Sequence, residues 1–268
     1  SWVRDAATDV VANDIVGSHA LVVVIDDGTF GYGATLHGLQ TARTIATAAL
    51  DQLGPRDIAA VVFTQDTNAS QGFTLDRTRL RAAVARTTQL PASSIPGSRG
   101  ACPAQLCSVH VLRSVVETLE AIPDVHRTIL YISNGLDAPL PEIGPYLVQP
   151  GTLLPLGDRN TRADATIEAI RAAQRANITV HAFEPNGLGG DGTQYPEFLR
   201  TVAENTGGRA VVNDNDPERV VPAIMREARS YYLVGFTPAA VKADGAFHPI
   251  TVTVKRPDVD VRARRSYV

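Results

Sequence analysis

The sequence predicts an α/β fold: a doubly wound, Rossmann-like, mostly parallel sheet with a C-terminal antiparallel β appendage. Three observations predict it. Apolar runs such as Ala20–Ile25 are continuous rather than alternating, which suits strands covered on both faces. These runs alternate with helix-period segments, the pattern of repeated β-α-β units. The end of the chain then switches to period two, in Ile250-Thr-Val252-Thr-Val254 and again over Val259–Arg265, as strands with one solvated face do.

The elements follow in order. Ala20–Ile25 is a strand ending in Asp26-Asp27-Gly28, and Thr35–Leu53 is a helix stopped by Gly54-Pro55. Ile58–Thr64 is a second strand, with Gln71–Thr74 as a short edge strand returning beside it. Asp76–Thr88 reads as a helix, Leu90–Leu106 as a Pro/Ser/Gly-rich loop, and Ser108–Ile122 as a helix. Thr128–Ser133 is a strand, with His126 exposed just before it. Leu136–Thr161, with five prolines, reads as a long loop and a candidate partner surface. Helix Ala163–Ala176 precedes strand Ile178–Phe183, where His181 reads as a satisfied core residue. Gly187–Gly192 is a flexible loop. Helix Tyr195–Asn205, strand Ala210–Val212, helix Asp216–Arg229 and a last body strand, Tyr231–Phe236, complete residues 1–238. Residues 239–268 form a β-hairpin extension packed on the same domain, turning at Pro257-Asp258.

Composition narrows the function. The 268 residues carry 25 Lys and Arg against 28 Asp and Glu, a formal charge of −3, so no basic excess supports a nucleic-acid surface. No apolar run approaches the roughly 20 residues that span a bilayer. Lysine occurs only at Lys242 and Lys255, which excludes a P-loop lysine or an early Schiff base. Cys102 and Cys107 are the two cysteines, and their C-x4-C spacing is poor for zinc. A local disulfide and two buried thiols are both open, and the disulfide would imply an oxidising compartment.

In doubly wound folds ligands bind at the carboxyl ends of the strands. Here those ends are Asp26-Asp-Gly-Thr29, Thr64-Gln-Asp66 and Ser133-Asn-Gly-Leu-Asp137. The glycines at 28, 31 and 33 do not make a dinucleotide fingerprint. Asp27-Gly-Thr29 matches half of a phosphatase D-x-D-G-T motif, but Ile25 fills the nucleophile position. None of the six histidines accompanies a G-x-S-x-G elbow, so no hydrolytic constellation is present.

Several segments together resemble the von Willebrand factor A fold, within it the bacterial group common in acidobacterial exported proteins. They are Ile25-Asp26-Asp27, Asp57–Thr64, Gln71-Gly-Phe-Thr-Leu-Asp76, Tyr231-Tyr-Leu-Val-Gly-Phe236, Asp244-Gly-Ala-Phe247 and Ile250–Pro257. The resemblance implies a metal-ion-dependent adhesion site: D-x-S-x-S after the first strand, a middle-loop threonine, and a later aspartate. Asp26 fits the first position. Gly28 and Phe30 stand for the serines, Cys102 for the threonine, and Asn134 for the aspartate. A Mg2+ site needs several hard oxygen ligands, so the expectation is a degenerate site binding no metal through the standard ligands, and no cofactor. If a cation binds at all, Asp26 would hold it, with Mg2+ or Ca2+ in an irregular pocket.

Asp26, Asp27, Thr29, Asn134 and Asp137 are accordingly the candidate rim residues. The implied function is a non-enzymatic, adhesion-type interaction domain of an exported protein, periplasmic or extracellular, with an unidentified protein partner. A structural envelope module using strand addition through the appendage is the alternative.

Overall fold

A computed structural model describes residues 10–13, 19–30, 36–87, 104–122, 125–138, 140, 156–189, 195–229, 231–235, 248–258, 261 and 263–267. Its elements are β1 (Val10–Asn13), β2 (His19–Ile25), α1 (Leu36–Asp51), β3 (Ile58–Phe63), β4 (Gln71–Thr74), α2 (Arg77–Ala85) and α3 (Ala104–Glu120). They continue with β5 (His126–Ile132), α4 (Leu156–Arg175), β6 (Ile178–Phe183), α5 (Pro196–Thr206), β7 (Ala210–Val211), α6 (Val221–Glu227), β8 (Tyr231–Val234), β9 (His248–Pro249) and β10 (Ser266–Tyr267).

The central sheet has the order β4-β3-β2-β5-β6-β7, parallel except for the edge strand β4. The chain winds outward from β2 to one edge, then crosses to β5 and winds to the other. The crevice between β2 and β5 is therefore the switch point. The continuous apolar run of β2 explains its central place. Leu21, Val23 and Ile25 enter one core with Leu39, Ile45, Leu80 and Ile224, whereas Ala20, Val22 and Val24 enter a second core with Leu112, Val116, Ile170 and Leu199. Period-two side-chain direction thus assigns α1, α2 and α6 to one face and α3, α4 and α5 to the other.

Local signals bound the helices α2 and α5. Asp76 caps α2 by accepting from the backbone N–H groups of Thr78 and Arg79. Pro196 opens α5, and Gly207 closes it at φ +82°.

Four expectations need correction. Tyr231–Phe236 is not a further strand of the parallel body. Its described strand, β8, pairs antiparallel with β1, a short strand the sequence pattern did not announce. The segment expected as one loop up to Thr161 already turns helical at Leu156, because α4 begins there. His126 is not exposed ahead of a strand. It is the buried first residue of β5, opposite His19 in the β2–β5 register. Gly187–Gly189 is a 3-10 turn rather than a loose loop.

The C-terminal strands are shorter than their alternation suggests, because ladder pairing is confined to β9 and β10. Their antiparallel register and the Ile250 N–H bond to the Arg265 carbonyl still align the two arms as a hairpin. Asp258, at φ +57° after Pro257, turns the chain where the sequence placed the turn. This end docks at the base of the sheet, opposite the crevice. Arg264 donates to the Gln174 carbonyl and to Asn177 Oδ1 at the end of α4, and Ser266 Oγ donates to Asn205 Oδ1 on α5.

Candidate functional site

Asp26 follows β2 at the crevice and is wholly buried. Thr64 Oγ1 (2.7 Å) and Ser108 Oγ (2.5 Å) donate to its Oδ1. Tyr131 Oη (2.6 Å) and Ser133 Oγ (2.7 Å) donate to Oδ2. The donors come from the end of β3, from α3, from β5 and from the loop after β5. Each carboxylate oxygen therefore holds two hydroxyl hydrogens, the full acceptor capacity of the group. Burial raises the Asp26 carboxyl above its usual range, while the hydroxyls, Ser108 foremost, pull the other way. Burial, and then the neighbouring Asp26 charge, lifts the Tyr131 phenol well above its ordinary value, so it stays a donor.

Asp27 turns to the neighbouring loop. Its Oδ1 accepts from the Gln65 N–H (2.8 Å) and its Oδ2 from the Asp66 N–H (3.0 Å), which fixes the chain after β3. Thr29 and Asn134 meet across the crevice: the Asn134 amide donates to the Thr29 carbonyl, and the Asn134 N–H to Thr29 Oγ1. The chain of contacts continues from Asn186 Nδ2 to Asn134 Oδ1, and from the Asn186 N–H to buried Glu184. Burial raises the Glu184 carboxyl, and backbone N–H groups of Asn186, Asn213 and Gly187 oppose that rise. Asp137 lies further along the β5–α4 loop, half-buried, with its carbonyl taking Arg162 Nε.

Of the sequence-predicted residues, the structure thus joins Asp26, Thr29 and Asn134 through Ser133, which contacts both Asp26 and Thr29. Asp26 lies beneath the rim rather than on it. Phe30, at a position where the resemblance expects a hydroxyl, is buried in the apolar core beside Ile25 and Leu39. Cys107 is buried on α3 and is not a free thiol. Cys102 lies outside the described residues. Ser108, Tyr131, Asn186 and Glu184 were not singled out from the sequence, and Thr64 entered only as the first residue of a strand-end loop. Their one signal is polarity at strand ends and on helix faces otherwise apolar.

Gly135 holds the β5–α4 loop at φ +79°, where a Cβ would come within 2.3 Å of the Tyr195 carbonyl oxygen. Its N–H donates to Ser133 Oγ, and the Tyr195 N–H reaches the Asn134 carbonyl. Gly135→Ala is expected to lower stability by about 2 kcal/mol through the left-handed backbone and the clash. The urea unfolding midpoint reads this.

Comparison with known proteins bears on the fold. No family model and no curated protein matches the chain. Among solved structures, a von Willebrand factor type A protein from Catenulispora acidiphila is 15% identical, covering 80% of this chain and 42% of that one, at a TM-score of 0.50. The fold is that of a von Willebrand factor A domain. The pilus adhesin SpaC from Lactobacillus rhamnosus GG is 13% identical over 81% of this chain and 31% of its own, at a TM-score of 0.53. The proximal thread matrix protein 1 of the mussel byssus is 11% identical over 84% and 49%, at 0.50. The chain therefore spans less than half of each of these proteins. Among the described residues, no helix is long and apolar enough to cross a membrane.

Proposed function

We propose that this domain is a non-enzymatic, adhesion-type protein-interaction module whose adhesion site is degenerate and works without a cation. The carrying observation is the four-hydroxyl cage on Asp26. A Mg2+ ion bound by Asp26 would have to displace at least one of those donors and offset its own dehydration with hard oxygen ligands. Phe30 offers none, and Asn134 brings a neutral amide already bonded to Thr29 and Asn186. The residues present do not fit the ion. The Asp26 cage and the Thr29–Asn134–Asn186–Glu184 chain tie the rim loops together with protein groups instead.

The rim is the contact surface in this reading, as it is where the strand-end loops gather. No catalytic residue is assigned. The likeness of fold to a pilus adhesin supports an adhesive role and an exported location, periplasmic or extracellular. A Cys102–Cys107 bond belongs to the same proposal and suits an oxidising compartment.

Thermal unfolding with Mg2+, Mn2+ or Ca2+ against chelator tests this. A ligand bound only by the folded state adds about 2.7 kcal/mol at a hundredfold excess over its dissociation constant. The expected result is one Tm in every condition. A saturable rise with any ion, absent in Asp26→Asn, overturns the proposal. Calorimetric titration of the folded variant separates lost binding from lost stability.

A further inference from the structure

We propose that the basic C-terminal hairpin of one copy docks on the acidic, leucine-bearing rim of a second copy, so that the domain associates head to tail. This rests on the reading of the rim as the contact surface and names its partner.

The hairpin leaves an apolar face open. Val252, Val254 and Val261 are 47%, 45% and 37% exposed. Extended past its two-pair ladder, the β9–β10 register would place Val254 opposite Val261 and Val252 opposite Ala263 on one face. Lys255 and Arg256 beside it are exposed. Residues 250–265 hold five basic and two acidic side chains in a chain whose net charge is −3; Arg265 pairs with Glu204 and Arg264 is taken up by α4 and Asn177, so Lys255 and Arg256 carry the exposed charge beside this face. Arg264 and Ser266 anchor this face at the base of the sheet.

The complement sits at the opposite pole. Leu188, on the 3-10 turn after β6, is 72% exposed. Its N–H is pinned to Asn215 Oδ1 at 3.1 Å, so the knob is presented from a fixed backbone. Asp214 and Asp216 flank Asn215 on the loop after β7. An apolar knob pinned to an acidic loop matches an apolar face beside Lys255 and Arg256.

Charge decides among occupants. Two hairpins face to face would oppose like charges, whereas rim against hairpin opposes unlike ones. A lipid surface is disfavoured because the face carries short valines and no aromatic or leucine to sink into a headgroup layer. A contact between two different patches leaves each copy with one patch to spare, so copies add beyond the dimer, into a ring where the rotation closes and an open chain where it does not.

Sedimentation velocity over a concentration series, at low and at high salt, tests the proposal. The expected result is mass that grows past the dimer with concentration and falls with salt. Leu188→Glu and Val254→Glu sit on exposed positions and each should weaken association at least tenfold, with circular dichroism unchanged. Mixed together, the two variants should form a complex that stops at one-to-one, because each keeps one intact pole. A monomer at every concentration in low salt overturns the inference and leaves the cation result standing on its own. Association that stops at a dimer and ignores Leu188→Glu indicates hairpin-to-hairpin pairing, and overturns both this inference and the rim as its surface. Binding of anionic phosphatidylglycerol vesicles, lost in Val254→Glu without self-association, also overturns it.

Discussion

Asp26→Ala is expected to destabilise the domain by about 3 kcal/mol, and the hydroxyls around it explain most of the size. Four buried donors lose their acceptor at once. Two have somewhere to go: Thr64 Oγ1 already lies 3.1 Å from Asp27 Oδ1, and Ser133 Oγ lies 3.3 Å from Thr29 Oγ1. Tyr131 Oη is left, and a buried polar group without a partner costs about 1–3 kcal/mol, to which the volume lost with the carboxylate adds about 1 kcal/mol. Asp26→Asn should cost less, about 1–2 kcal/mol. It keeps one carbonyl acceptor and removes a charge that burial disfavours, while two hydroxyls must rotate to accept from the new amide. Urea unfolding of both variants at neutral pH checks the order. Equal losses, or an Ala variant within 1 kcal/mol of the parent, would mean that the cage does not hold the crevice.

Acid should weaken the same domain from its other end. His19 is buried at the start of β2 with its Nε2 on Thr128 Oγ1. Its pKa is lowered to about 4, chiefly by burial; Asp57 raises it, and Arg229 and His126 lower it further. Burial lowers His126 as well. The unfolded chain therefore binds the His19 proton between about pH 6.5 and pH 4, where the folded one does not. Stability rises with pH wherever the unfolded state holds more protons, so this contribution is complete above about pH 6.5 and falls away toward pH 4. The span corresponds to about 3 kcal/mol. Asp26, raised in the fold, has the opposite sign: its contribution is present at low pH and is lost as pH rises through its folded value. Chemical denaturation from pH 7.5 to 4 should show the loss, and His19→Gln should flatten it. An unchanged slope in that variant would assign the acid sensitivity elsewhere.

Much of the sheet was legible because it rests on patterns the chain repeats. A run without polar interruption, as in β2, requires cover on both faces, and alternate members of that run do enter the two cores. The Pro257-Asp258 turn was legible because proline fixes one dihedral and aspartate tolerates the next. β1 was not, since four residues are too few to carry a period. The partner of β8 was not either, because an apolar strand reads alike whether its neighbour is parallel or antiparallel. At the crevice, Asp26 stood out as a carboxylate ending an apolar run. Its donors did not: Tyr131 reads as one more member of an apolar strand, and Ser108 as a polar position on a helix. Only the β2–β5 register and the approach of α3 bring those hydroxyls to one carboxylate. His126 was misread for a related reason, since its burial follows from facing His19 across strands distant in sequence.

The pairing of β1 with β8 has a mechanical side. Val10, where β1 begins, lies opposite Val234, where β8 ends. Tension entering at the first and leaving at the second pulls on the same end of an antiparallel ladder. Its bonds then open singly, as a zipper does, instead of sharing the load in shear. A pull through the C-terminal hairpin meets a different connection, since Arg264 and Ser266 tie that segment to the ends of α4 and α5. The two ends of the described chain would thus yield differently, one bond at a time at β1 and as a cluster of side-chain contacts at β10.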